Sequence, residues 1–226
     1  MNNKFNLISI DPSITKLGIA LWDINHKLRV ATLISQPTKG RNWYERATVM
    51  ADAVIYFVEG VICTIKDGWN YPWVVVSETP ENWFSSKGAA AKDSEAIQKL
   101  YFYVGAQTQA FKSQLFIHSI YLANPGTWKG QTPKELMVQR AQHHYPHEQK
   151  ITDHNICEAI LLGKYAYHQG AGYEGSPFLR FQKSGVERVF IDERREGAVP
   201  QETRDTGEWL SSMSVRYKTY TWGGAY

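Results

Sequence analysis

The stretch FNLISIDPSITKLGIALWD, residues 5 to 23, constrains the fold more than any other part of this chain. Apolar residues run to Ile10, Asp11-Pro12-Ser13 interrupts them, and they resume from Leu17 to Trp22. That pattern describes a strand, a tight turn and a second strand. The segment KLRVATLIS, 27 to 35, adds a third β-rich strand, so the chain opens as an antiparallel meander. Asp11 ends the first strand, where a carboxylate has no structural reason to be beyond the turn itself.

Helical spacing follows from 43 to 65, with Tyr44, Ala47, Ala51, Val54, Val58, Val61, Ile62 and Ile65 on one stripe. YPWVVVSE, 71 to 78, is apolar without alternation, the character of a strand covered on both faces. A second long helix is expected over 94 to 114 with Ser94 as its N-cap, then a strand over 115 to 123. After the loop NPGTWKGQ come a basic helix over 133 to 144 and a last helix beginning at Asp153. The order β-β-β-α-β-α-β-α-α predicts an α/β fold with a mixed five-stranded sheet flanked by helices.

Beyond Gly170 the linker-like run HQGAGYEGSP gives way to two short β patterns, VERVFI and SVRYKTYTW. Residues 1–169 are therefore expected to form the main domain. Residues 170–226 form a C-terminal extension: a small β appendage, an arm crossing to a partner subunit, or a partly disordered tail. With 43% hydrophobic and 21% charged residues in 226, the chain has enough apolar content for one well-buried domain plus such an appendage.

The N-terminus has neither a signal-peptide core nor an apolar run of roughly 18 residues, so export and membrane spanning are disfavoured and a cytoplasmic setting is expected. Cys63 and Cys157 are too few and too distant for a disulfide framework or a zinc site, and are expected to be buried. The net charge of +3 lies entirely in residues 1–169, since the extension holds eight basic and eight acidic residues. A polyanion-binding surface is expected there.

Glu78 ends its apolar strand before Thr79-Pro80, as Asp11 ends the first. In open α/β sheets ligands gather beyond the carboxyl ends of strands, and two such carboxylates on parallel neighbours would converge. Unpaired, they would be costly to enclose, so a cation is expected. The last helix supplies more. His154 and Glu158, four residues apart, share a face, and Asp153 lies roughly 140° from Glu158 and must reach in from the first turn. Three or four oxygen ligands with an optional imidazole suit Mg²⁺ or Mn²⁺.

ISIDPSITKLGIALWD resembles the first two strands of RuvC-type Holliday junction resolvases in the RNase H-like superfamily. The later segments VVVSE, KDSEAIQKLYFYVGAQTQAF, WKGQTPKELMVQRA and DHNICEAILLGKYA follow in that family's order, so the likeness spans about residues 5 to 168. It is nearest in flavour to the phage and organellar versions, which would place the protein in a host cytoplasm or leave an organelle open.

The resemblance implies an RNase H-like fold and a Mg²⁺-dependent crossover junction endodeoxyribonuclease. Asp11, Glu78, Asp153 and Glu158 would be the metal-binding carboxylates. Two ions, replaceable by Mn²⁺, would cut branched DNA, especially four-way junctions, to leave 5′-phosphate and 3′-hydroxyl nicks, and the enzyme would be a homodimer. Bacterial members usually end in Asp-x-x-Asp, whereas here Asp153 lies five residues before Glu158 and Asn155 three before it. Asp153, His154 and Asn155 are thus alternatives for completing the site, with Asp153 favoured and His154 lining it, where it is expected to orient water or handle protons near neutral pH.

Lys129 and Lys134 resemble the family's basic residues beside the active site and are expected to contact phosphates or to offset charge building at the scissile group. Trp83 and Phe84, in the loop after Glu78, are candidates for stacking on an opened junction. Lys87 and Trp128 join them on the expected DNA-binding surface. Two other readings compete: a non-catalytic branched-DNA-binding protein, and an actin- or hexokinase-like ATPase. The ATPase would need a second similar domain and a late Gly-rich nucleotide segment, and no nucleotide cofactor is expected here.

Overall fold

The computed structural model describes residues 4–37, 41–65, 68–80, 95–169, 186–191 and 213–222. Three antiparallel strands open the chain: β1 (Asn6–Asp11), β2 (Lys16–Trp22) and β3 (Leu28–Ser35). Helix α1 (Trp43–Ile62) leads to β4 (Trp73–Glu78), then α2 (Glu95–Lys112) and β5 (Ile117–Ala123). The short α3 (Pro125–Trp128), α4 (Lys134–His144) and α5 (His154–Gln169) precede β6 (Val186–Ile191) and β7 (Arg216–Thr221).

These strands form one mixed sheet in the order β6-β5-β4-β1-β2-β3-β7. β4 pairs in parallel with both β1 and β5, so the ends of β1 and β4 lie side by side. The sheet is wider than the five strands expected. β6 adds antiparallel to β5 and β7 antiparallel to β3, so the extension's strands occupy both edges. The physical reason is that an open edge presents a row of unpaired N–H and C=O groups, which a strand of the same chain can satisfy.

Alternation along β1 separates two cores. Ile8 and Ile10 pack with Trp73, Val75, α1 and α2 on one face. Leu7, Val74 and Val76 pack with α5 on the other. Trp22 and Trp73 are both buried. Two glycines set how closely α5 approaches. A Cβ on Gly18 of β2 would collide with the Asn155 carbonyl and lie 2.7 Å from the Ile156 nitrogen. A Cβ on Gly163 would strike the Trp22 indole and stand 2.6 Å from Ser9 Oγ. The missing side chains let α5 lie against the sheet.

Several boundaries shift for local reasons. α1 ends at Ile62 because the Thr64 hydroxyl and N–H both bond back to the Val61 carbonyl, turning the chain. Its start carries a capping box between Asn42 and Glu45. Pro133 is the N-cap of α4 with ψ 147° and not its first helical residue, which leaves Lys134 in that place. Cys157 is buried, but Cys63 is exposed, because it caps the solvent end of α1. Among the described residues no helix is long and apolar enough to cross a membrane.

Candidate metal centre and phosphate-binding edge

Asp11 ends β1 and Glu78 ends β4, one step beyond the paired Ile10 and Ser77. Glu158 comes from the buried face of α5, which the glycine contacts press against the sheet. Carboxylate oxygens of Asp11, Glu78 and Glu158 all lie within 4.8 Å of one another. Residues separated by 67 and 80 positions in sequence thus share one pocket.

A short turn folds a cation and an indole over them. Glu78 is in register with Ala123 of β5, and the chain beyond Ala123 turns at once into α3. The Asn124 side chain caps α3 by accepting the Gly126 N–H at 2.8 Å, with Pro125 opening the turn. Trp128 and Lys129 are carried back over β4 as a result. Trp128 Nε1 donates to Glu78 Oε2 at 3.0 Å, and Lys129 Nζ donates to Glu78 Oε1 at 3.0 Å. The same ammonium donates to Glu158 Oε2. Side-chain exposures of 17% for Lys129, 14% for Glu78 and 6% for Glu158 make these ion pairs much drier than surface ones.

Fully ionised, the three carboxylates and one ammonium carry a formal −2. The titration directions follow. Burial, then the charges of Glu78 and Glu158, hold the Asp11 carboxyl well above its ordinary range, with Lys129 and Lys134 only partly offsetting them. Burial also raises Glu78, against the pull of Lys129 and the Trp128 hydrogen bond. Burial pulls the Lys129 ammonium down, but Glu78 and Glu158 outweigh it and hold it above the usual lysine value. A pocket that favours a proton on Asp11 is short of positive charge. Its all-oxygen donor set fits a hard divalent cation such as Mg²⁺ or Mn²⁺.

The three residues left open at the head of α5 each have another partner. Asp153 Oδ1 accepts the Asn155 N–H at 3.0 Å and its carbonyl accepts the Cys157 N–H at 3.2 Å, so Asp153 caps α5. Asn155 Nδ2 donates to the Lys16 carbonyl at 2.8 Å and pins α5 to β2. His154 Nε2 lies 3.2 Å from Lys134 Nζ, whose charge reaches Asp11. Lys134 and His154 therefore mark a rim beside the carboxylates, at the N-termini of α4 and α5. Trp83, Phe84 and Lys87 lie outside the described residues.

Two features that matter here were missed in the sequence. Gly18 gave a signal, a glycine within an apolar strand pattern, which can mark close backbone approach. Trp128 was expected on the DNA-binding surface, but its bond to Glu78 gave no signal, because the direction of an indole N–H depends on a turn closed by tertiary pairing.

No family model matches the chain, and no curated protein matches it. Among solved structures, RuvC of T. thermophilus, determined in complex with a Holliday junction substrate, is similar with a TM-score of 0.52 and 16% identity. The likeness covers 74% of this chain and 97% of that one. The chain thus has a RuvC-like, RNase H-like fold, and its three converging carboxylates form a candidate divalent-metal centre within it.

Proposed function

We propose that this protein is a Mg²⁺-dependent, structure-selective DNA endonuclease that resolves four-way junctions or related branched DNA. The observation that carries this reading is the convergence of Asp11, Glu78 and Glu158 within 4.8 Å at the ends of adjacent parallel strands, on a RuvC-like fold. Two divalent ions held there would lower the pKa of an attacking water and offset charge on the leaving 3′ oxygen, giving 5′-phosphate and 3′-hydroxyl nicks.

The chain's own residues supply the rest. Asp11, Glu78 and Glu158 would together hold the ions. Lys129, now paired with Glu78 and Glu158, would exchange those carboxylates for the scissile phosphate once cations occupy the site. Lys134, at the N-terminus of α4, anchors a neighbouring phosphate where the helix end already favours anions. Paired nicks across a junction need two active sites, so the working form is a homodimer.

The test presents labelled four-way, three-way, flap and linear duplex DNA to the protein with Mg²⁺, Mn²⁺ or EDTA. Metal-dependent nicks in branched substrates are expected. Binding without any cut would favour a non-catalytic junction binder. Lys129→Met separates two roles in one variant. Cleavage should fall by about 10²-fold, the scale of losing one donor aimed at developing charge. Mn²⁺ should bind more tightly at pH 8, because no ammonium competes for Glu78 and Glu158. A variant that binds Mn²⁺ more weakly would show that Lys129 supports the metal site instead of sharing it.

A further inference from the structure

Glu78 has two kinds of partner, and only one is compatible with a cation on its carboxylate. Lys129 is positively charged and contacts Oε1 at 3.0 Å and Oε2 at 2.8 Å. A divalent ion on those oxygens would repel it across a few ångströms. Trp128 Nε1 is neutral, donates at 3.0 Å to Oε2, and meets no such repulsion. Each carboxylate oxygen has two acceptor sites, so one N–H and one cation can share Oε2.

The indole is also held in advance. Asn124 and Pro125 fix the turn that carries it. Its ring lies 6.4 Å from that of Tyr165 on α5, and the Lys129 ammonium stands 5.2 Å from its centroid. A partly buried ring with its N–H committed to a carboxylate is held in one orientation. The bond to Glu78 gives Trp128 a role apart from the DNA contact expected of it.

We propose that Trp128 is a positioning residue for Glu78, the hydrogen bond that keeps this carboxylate aimed at the metal ions after Lys129 has left it. The inference rests on the metal-dependent reading of the site. Outer partners of metal ligands typically contribute about 10–100-fold to affinity. Trp128→Phe, which loses the N–H and keeps an aromatic ring, is therefore expected to bind Mn²⁺ about 10–100-fold more weakly in an electron paramagnetic resonance titration without DNA.

The second measurement uses the unaltered protein. The Trp128 indole N–H resonance, assigned in ¹⁵N-labelled protein by its loss in Trp128→Phe or in Trp128→Tyr, should keep its hydrogen-bonded position when Mg²⁺ saturates the site. It should move to the position of a free indole in Glu78→Ala. A packing role alone would lower the melting temperature of Trp128→Phe yet leave that resonance indifferent to Glu78→Ala. Wild-type Mn²⁺ affinity in Trp128→Phe, or an indole N–H released by Mg²⁺, overturns the inference while the metal site stands. Wild-type protein that binds no Mn²⁺ overturns both together.

Discussion

Asp11→Asn is expected to reduce metal-dependent cleavage of branched DNA by about 10³-fold or more, while the metal-free protein becomes no less stable and stays able to bind the junction. The two halves have one cause. Asp11 sits among Glu78 and Glu158 with its carboxyl held above the ordinary range, by burial first and by those charges next. A cation converts that electrostatic stress into binding, and an amide offers it a poorer ligand.

Without a cation the sign reverses. A carboxyl whose folded pKa is raised contributes stability that is fully present below its unfolded value of 3.8, and loses it as pH rises through the folded value. Asparagine does not titrate and keeps the neutral contacts. Thermal melts in EDTA should therefore show Asp11→Asn at or above the wild type at pH 8, with the difference growing as pH is raised from about 4. Saturating Mg²⁺ should raise the melting temperature of the wild type and not of the variant. A variant that still cuts with Mg²⁺ would place the chemistry elsewhere.

Gly18→Ala is expected to be the most damaging single methyl group in the sheet. The new Cβ would meet the Asn155 carbonyl and lie 2.7 Å from the Ile156 nitrogen, and both are backbone, so no rotamer change relieves the overlap. α5 must move away from β2, breaking the Asn155 to Lys16 bond and withdrawing Glu158 from the cluster. Overpacking of this kind costs about 1–3 kcal/mol, sometimes more. At about 2–4 °C per kcal/mol for a chain of this size, the melting temperature should fall by several degrees, and Mn²⁺ affinity should fall with it.

Gly60→Ala and Gly105→Ala are the controls. A Cβ at either helical position meets nothing within 4 Å, so each should leave metal binding alone and stabilise its helix by about 0.5–1 kcal/mol. Equal destabilisation of all three variants would mean that α5 does not depend on Gly18 for its approach.

Some of this was legible before any coordinates. Apolar runs cut off by Asp11-Pro12 and by Glu78-Thr79-Pro80 marked strands with carboxylates at their ends, because a buried run followed by a charge is a local pattern. Glu158 was legible by its discord, an acid among Ile156, Cys157, Ala159 and Ile160. Asp153 was harder. Its sequence position suits a helix cap and a metal ligand equally, and the structure shows its carboxylate on the Asn155 N–H. The extension's RYKTYT declares a strand by alternation, but alternation does not say which edge of which sheet the strand will join.

What the sequence determined alone was the set of elements and the placement of acids at their ends, since periodicity and turn chemistry act over a few residues. Tertiary structure decided which acids meet, how near α5 comes through Gly18 and Gly163, and that Trp128 and Lys129 fold back onto Glu78. Those outcomes depend on strand register and backbone clearance between distant segments, and no local pattern encodes either.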